Sequence, residues 1–162
     1  MSINPDRRVS KVLDVNPQQL FDDGISTMVF DYDGVLAPYR KGMPHEVITW
    51  LEECIKIFGL SRIFILTNNP SLKRIKYFAN SFPGMRVIDG VKKKPDPEGL
   101  IKIINQTGVS PVQVMMFDDQ LLSGILAAKR AGTKSTLITK PYIGMDIREL
   151  WWIAKRLIEK FV

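Results

Sequence analysis

The sequence predicts an α/β protein: a doubly wound, Rossmann-like, mainly parallel sheet of about five strands in one domain. Three observations carry this prediction. Short apolar runs alternate with helical periodicities along the chain. The runs are almost continuously apolar, as strands covered on both faces are. The 162 residues suffice for one domain with a real core, and 45% hydrophobic with 25% charged residues excludes disorder and collagen-like repetition.

Residues 1–24 carry Pro5 and Pro17 and weak periodicity, which predicts an irregular arm packed on a domain of residues 25–162. The first strand is Thr27-Met28-Val29-Phe30, ending at Asp31. His45 to Phe58 follows as a helix, with Val47, Ile48, Leu51, Ile55 and Phe58 on one stripe and Gly59 as its stop. Ile63 to Leu66 is a strand running into Thr67-Asn68-Asn69, and Ser71 to Phe82 is a helix ended by Pro83-Gly84. Arg86 to Ile88 is a short strand. Asp96-Pro97-Glu98 opens the next helix as N-cap and N1 proline, and Gly108 closes it. Val112 to Phe117 is a strand ending at Asp118-Asp119, Ser123 to Ala131 a short helix, and Ser135 to Ile138 the last strand. Residues 146–162 read as an amphipathic helix with an apolar stripe of Ile147, Leu150, Trp151, Ala154, Leu157, Ile158 and Phe161. The stripe suits packing on the sheet, and its basic, aromatic flanks also suit an interfacial membrane helix.

Composition removes several classes of site. One cysteine, Cys54, excludes an intrachain disulfide and thiolate-rich metal centres, and one histidine, His45, excludes a histidine cluster. His45 reads as the start of a helix and Cys54 as an inert thiol in an apolar stretch. No apolar run approaches the ~20 residues of a membrane span, and residues 1–24 lack a signal-peptide core, so a cytoplasmic setting is expected. Residues 62–102 hold nine bases against three acids, the whole of the formal net charge of +6. Such a field attracts anions, whether a phosphorylated metabolite, an anionic lipid surface or nucleic acid. No arginine–aromatic array or zinc finger supports nucleic acid, which is not expected as a partner.

Ligands of parallel sheets bind beyond the carboxyl ends of the strands. Those ends carry Asp31 and Asp33, then Thr67, then Lys94, then Asp118 and Asp119. Four carboxylates brought together repel, and a divalent cation with all-oxygen ligation, Mg²⁺, would stabilise their charged forms. Thr67 and Asn68 offer hydrogen bonds to phosphate oxygens and Lys94 an ion pair. Considered singly, Thr67 reads equally as a turn hydroxyl, and Asp118-Asp119 as a helix cap.

Asp31-Tyr32-Asp33-Gly34-Val35-Leu36 resembles DxDGxL, the opening motif of the haloacid dehalogenase (HAD) superfamily of phosphohydrolases. Leu66-Thr67-Asn68-Asn69, Lys94-Pro95 and Phe117-Asp118-Asp119-Gln120 resemble its second, third and fourth motifs, in that order. Leu-Thr-Asn-Asn, Lys-Lys-Pro and Asp-Gln-Leu-Leu followed by Lys-Arg-Ala-Gly further resemble the YqeG branch of the subclass IIIA phosphatases, relatives of mitochondrial phosphatidylglycerophosphate phosphatases. The resemblance implies Asp31 as nucleophile, Asp33 as acid and base, Thr67 and Asn68 as phosphate holders, and Lys94 as the balancing cation. It implies Mg²⁺ on Asp31, the Asp33 carbonyl and a fourth-motif acid, with Asp119 the first choice and Asp118 the second. The family's fourth motif carries Gly-Asp and then Thr-Asp; here Asp118 stands at the Gly, and Ser123-Gly124 replaces the later pair, so the acid at 124 is missing.

The resulting expectation is a Mg²⁺-dependent phosphomonoesterase without a cap domain, because the segment from Ala37 to Pro44 is too short for one. An open site suits a bulky phosphate, such as phosphatidylglycerophosphate at the inner face of a membrane. Three alternatives stand beside it: a phosphatase of a small soluble metabolite, a non-catalytic membrane-associated module, and a signalling receiver domain. The receiver order places its acidic pair first and its phosphoacceptor later, the reverse of Asp31 before Asp118-Asp119.

Overall fold

The computed structural model describes residues 3–144, 147–159 and 161. Six parallel strands form one sheet: β1 (Arg7–Val9), β2 (Thr27–Phe30), β3 (Ile63–Ile65), β4 (Arg86–Val87), β5 (Val114–Asp118) and β6 (Lys134–Ile138), in the order β1-β6-β5-β2-β3-β4. Strand β2 lies in the middle, with Phe30 opposite Ile65 of β3 on one side and Phe117 of β5 on the other. Side chains of a strand alternate between faces, and here the alternation feeds two separate cores. Met28, Phe30, Ile63, Ile65, Met115 and Phe117 enter one; Val29, Phe64, Val114 and Met116 enter the other.

Helices cover both faces. Helix α1 (Pro17–Asp22), α2 (His45–Phe58) and α3 (Leu72–Ser81) give Leu20, Trp50, Leu51, Cys54 and Phe78 to the first core. Helix α4 (Glu98–Thr107) and α5 (Leu126–Ala131) give Leu100, Ile103, Ala127 and Ala128 to the second. Cys54 is buried, and burial pushes its thiol well above the ordinary range, so it is inert. Residues 31–44, between β2 and α2, hold no inserted domain and fold into a tight loop in which Gly34 N donates to Ala37 O and the Tyr32 hydroxyl to Lys41 O.

Four expectations change. The arm is not irregular throughout: β1 adds a sixth strand beside β6, and Asp6 beyond it accepts from Ser135 N and pairs with Lys134. Arg7-Arg8-Val9 has no apolar run because an edge strand is covered on fewer sides. The N-cap position of α4 is Pro97, with Asp96 one residue earlier, where its carboxylate still accepts from Glu98 N at 3.0 Å. The helix predicted over 123–131 begins earlier, as a π-helical turn over Leu121–Ile125 that continues into α5.

The fourth change is the largest. Helix α6 (Ile147–Glu159) stands with its apolar stripe outward: Ile147, Leu150, Trp151, Leu157 and Ile158 are all more than half exposed, and Phe161 beyond the helix is 92% exposed. Its buried residues are Glu149 and Glu159. The expected ends Asp146 and Val162, and Lys160, lie outside the described residues. The polar face turns inward because the layer beneath offers unpaired backbone amides. Glu149 accepts from Gly144 N and Tyr39 N, and Glu159 from Leu121 N and Leu122 N.

Candidate active site

The carboxyl ends of β2, β3 and β5 meet the loop before α4 around a cleft of about 470 Å³. Its lining includes Asp31, Asp33, Thr67, Asn68, Lys94 and Gln120, joined from α6 by Trp152 and Lys155. Asp118 and Asp119 lie behind this wall, buried. All seven residues singled out in the sequence therefore converge on one edge of the sheet.

Asp31 follows β2 directly, and its N–H donates to Phe117 O at 2.9 Å, so the sheet ladder fixes its backbone. One carboxylate oxygen accepts from Tyr32 N at 2.9 Å. Lys94 Nζ lies 3.2 Å from Asp31 and 2.6 Å from Asp118 and bridges them. Burial opposes the charge on this ammonium, but the two carboxylates outweigh it and hold Lys94 protonated above its ordinary range. Asp31 is pushed up to about 7, first by burial and then by Asp118 and Asp33, against the pull of Lys94.

The Asn68 side chain is committed to placing Lys94. Its Oδ1 accepts from Lys94 N at 2.7 Å and its Nδ2 donates to Lys94 O at 3.1 Å, a two-way clamp across 26 residues. Thr67 Oγ1 accepts from Asn69 N at 3.2 Å at the mouth of the cleft.

Arg74 is a site residue that sequence reasoning missed. From the first turn of α3 its guanidinium meets both oxygens of Asp33, at 3.1 and 3.2 Å, and also donates to Thr67 Oγ1 and Asn69 O. It lies over the Tyr32 ring, 4.1 Å from the centroid. In sequence it is one of nine bases in a basic stretch; the available signal was its place three residues after the N-cap Ser71, which aims it back at the strand end.

Two glycines shape the fourth-motif acids. Gly34 has φ +86°, and a Cβ there would lie 2.8 Å from Asp119 Oδ2. A Cβ on Gly124 would lie 2.1 Å from Asp118 Oδ2 and 2.5 Å from its Cγ. The Asp118 carboxylate thus fills the space into which a side chain at 124 would project, held there by Lys94 and by Gln120 N at 2.8 Å.

The donor set fits a hard dication. Asp31, Asp118 and Asp119 each present a carboxylate oxygen within 4.8 Å of the others, all buried. Both oxygens of Asp119 are buried without a hydrogen-bond donor, and its charge is met by the ion pair with Arg156 of α6. The Asp33 carboxylate is outside this triad and faces Arg74.

A parallel α/β sheet with an aspartate pair at its central strand, a hydroxyl at the next strand end and a lysine tying two acids together forms a polar site where open α/β sheets bind their ligands. Residues 41–132 match the family model of the haloacid dehalogenase-like hydrolases, and the chain belongs to that family. The matched stretch begins past Asp31 and Asp33, whose assignment rests on the geometry above. The chain is 26% identical over 135 residues to the N-acetylmuramic acid 6-phosphate phosphatase of Pseudomonas aeruginosa, covering 80% of this chain and 57% of that protein. It is 35% identical over 74 residues to the putative phosphatase YhcW of Bacillus subtilis, covering 45% of this chain and 33% of that one. The chain therefore spans about half or less of the length of these curated relatives. A solved structure of an uncharacterised protein from Listeria monocytogenes serotype 4b superposes with a TM-score of 0.56 at 15% identity, over 76% of this chain and 84% of that one, a likeness of fold.

Proposed function

We propose that the protein is a Mg²⁺-dependent phosphomonoesterase acting through an aspartyl-phosphate. The observation that carries this reading is the meeting, in one cleft, of Asp31, Asp33, Thr67 and Lys94, with Asp118 and Asp119 buried behind them and forming an acid triad with Asp31. Asp31 attacks the phosphorus atom; the ester P–O bond breaks, and Asp33, which enters this step in its acid form, gives its proton to the departing alkoxide. Asp33 then takes a proton from water, whose oxygen attacks the phosphorus, and the bond to Asp31 breaks to release inorganic phosphate. Thr67 and the Asn68 backbone hold the phosphoryl oxygens, and Lys94 keeps Asp31 and Asp118 from repelling each other. Arg74 orients the Asp33 carboxyl. Asp31, the Asp33 carbonyl and Asp119, with Asp118 beside them, would hold Mg²⁺, which would supply positive charge to stabilise the transition state. Asp31→Asn should abolish turnover of a phosphomonoester panel in Mg²⁺ while the fold, checked by circular dichroism, persists. Residual activity within tenfold of the parent refutes the covalent role, and no turnover by the parent favours a non-catalytic module.

The substrate reading rests on α6. Within the haloacid dehalogenase-like family we assign the chain to the subclass IIIA, YqeG-like phosphatases and propose a bulky phosphate presented by an anionic membrane, of the phosphatidylglycerophosphate kind. Trp152 and Lys155 of α6 line the cleft, while the apolar stripe of the same helix, Trp151 included, is exposed. Indoles suit the headgroup boundary, and the basic segment adds attraction of the same sign. The contact proposed is a peripheral one; no helix among the described residues is long and apolar enough to cross a membrane. The competing substrate is a small soluble metabolite, such as the sugar phosphate named for the Pseudomonas relative. Co-sedimentation with phosphatidylglycerol-containing vesicles but not neutral ones, lost in Trp151→Ala, supports the membrane; equal binding to both, or hydrolysis of N-acetylmuramic acid 6-phosphate alone, overturns it.

A further inference from the structure

Helix α6 is docked by polar contacts rather than by its apolar stripe. Glu159 accepts from the amides of Leu121 and Leu122 at 3.1 and 3.2 Å, in the stretch that directly follows Asp118-Asp119. Lys155 Nζ reaches Gln120 Oε1 at 3.1 Å, and Trp152 meets Tyr39 with ring centroids 5.3 Å apart. Between these contacts Arg156 turns inward and forms its ion pair with Asp119 Oδ2. The Asp119 side chain is fully buried, and neither oxygen has a hydrogen-bond donor.

Charge makes this contact more than a tether. Asp31 and Asp118 share Lys94, Asp33 has Arg74, and Asp119 has Arg156. Four carboxylates thus face three fixed cations. A dication entering among Asp31, Asp118 and Asp119 would stand within a few ångströms of the guanidinium on the same carboxylate, and at a desolvated position two such charges repel strongly. The Asp119 carboxylate occupies the space where a side chain at Gly34 would stand, a Cβ there falling 2.8 Å from Oδ2.

We propose that Arg156 is a built-in counter-cation that competes with the divalent ion for Asp119, so that α6 sets how tightly the site holds that ion. The inference rests on the cation site proposed above and adds a residue to it. In the ion-free protein Arg156 balances Asp119 and the helix lies down. When the ion binds, the guanidinium is displaced and α6 is loosened at its last turn. Lifting the helix exposes little apolar surface, because the stripe already faces outward.

The test is direct Mn²⁺ binding, followed by electron paramagnetic resonance without substrate, on the full chain and two variants. Arg156→Gln removes the competing charge and should tighten Mn²⁺ by about tenfold or more. Glu159→Gln leaves Arg156 in place but weakens the hold on Leu121 and Leu122, and should tighten Mn²⁺ in the same direction by a smaller factor. Hydrogen exchange supplies a second readout on the parent: amides of α6 should exchange faster when Mg²⁺ saturates the site. Unchanged or weaker Mn²⁺ binding in Arg156→Gln, or slower exchange in α6 with Mg²⁺, overturns the competition and makes Arg156 a structural support of Asp119. Mn²⁺ binding in the parent that Asp119→Ala leaves intact overturns the cation site itself, a result distinct from an unfavourable ratio between parent and Arg156→Gln.

Discussion

Placing a methyl group at Gly124 tests the architecture of the fourth motif. In Gly124→Ala the new Cβ would start 2.1 Å from Asp118 Oδ2, where ordinary contact begins at 3.4 Å, so the carboxylate must retreat by more than an ångström. It cannot do so freely, since Lys94 holds it at 2.6 Å and Gln120 N at 2.8 Å. Overpacking of a tight site costs about 1–3 kcal/mol. If the Lys94 contact breaks as well, a buried ammonium loses one of its two partners, and the loss rises to about 3–5 kcal/mol. The helix-propensity gain of alanine over glycine, about 1 kcal/mol, offsets part of this. With the Lys94 contact broken, the expected net is a loss of about 2–4 kcal/mol by urea denaturation, with a fall in kcat on a generic aryl phosphate because Lys94 also places Asp31. The exchange variant Asp118→Gly, Gly124→Asp moves the carboxylate from the strand to the helix and should recover at least tenfold of the activity lost in Asp118→Gly alone. Parent-like stability in Gly124→Ala, or no recovery in the exchange variant, would refute the account that Asp118 stands in for an acid at 124.

Arg74→Ala removes both contacts to the Asp33 carboxylate, which should lower kcat at least tenfold with little change in KM and cost about 3 kcal/mol, the lower end for a broken buried pair; kcat within twofold of the parent would show that Asp33 does not need it. A pH series tests Asp31 in the metal-free protein. Its carboxyl, pushed up to about 7 by burial, keeps its proton when folded over a range where the unfolded chain, near 3.8, has released it. The folded state then binds more protons, so this group's contribution to stability falls as pH rises from about 4 to about 7. Thermal melts in a chelator should show the parent losing ground to Asp31→Asn across that range, and Mg²⁺ should raise the parent's Tm more at pH 8 than at pH 5. A parent-minus-variant difference flat with pH would contradict the burial account of Asp31.

Much of the fold is legible in local sequence because its causes are local. Thr27–Phe30 and Val114–Asp118 are buried along their whole length, and a strand covered on both faces must be apolar throughout. Helix α2 begins at His45 and ends at Phe58 as its stripe and Gly59 foretell, since periodicity and a glycine stop act within a few residues. Strand β1 escaped notice because three residues pairing along one edge need no apolar signature; its neighbour β6 makes it a strand. The π-helical start at Leu121 likewise belongs to the place where Glu159 takes up the Leu121 and Leu122 amides.

The site divides along the same line. The order of Asp31, Asp33, Thr67 and Asp118-Asp119 at the ends of β2, β3 and β5, with Lys94 in the loop before α4, was determined by the sequence alone, because a parallel sheet brings all its carboxyl ends to one edge. Only the tertiary structure decided which cation each acid receives. Lys94, Arg74 and Arg156 come from three different segments, and only the assembled fold brings each of them to its carboxylate. The facing of α6 was decided in the same way. Its period of 3.6 residues determines that it has an apolar and a polar face, but which face docks depends on what lies beneath. Here that layer holds a carboxylate and backbone amides needing partners, so Glu149, Arg156 and Glu159 turn inward and the tryptophan stripe faces out. A buried polar group left unpaired is costly, and which groups need partners is defined only once the fold has assembled.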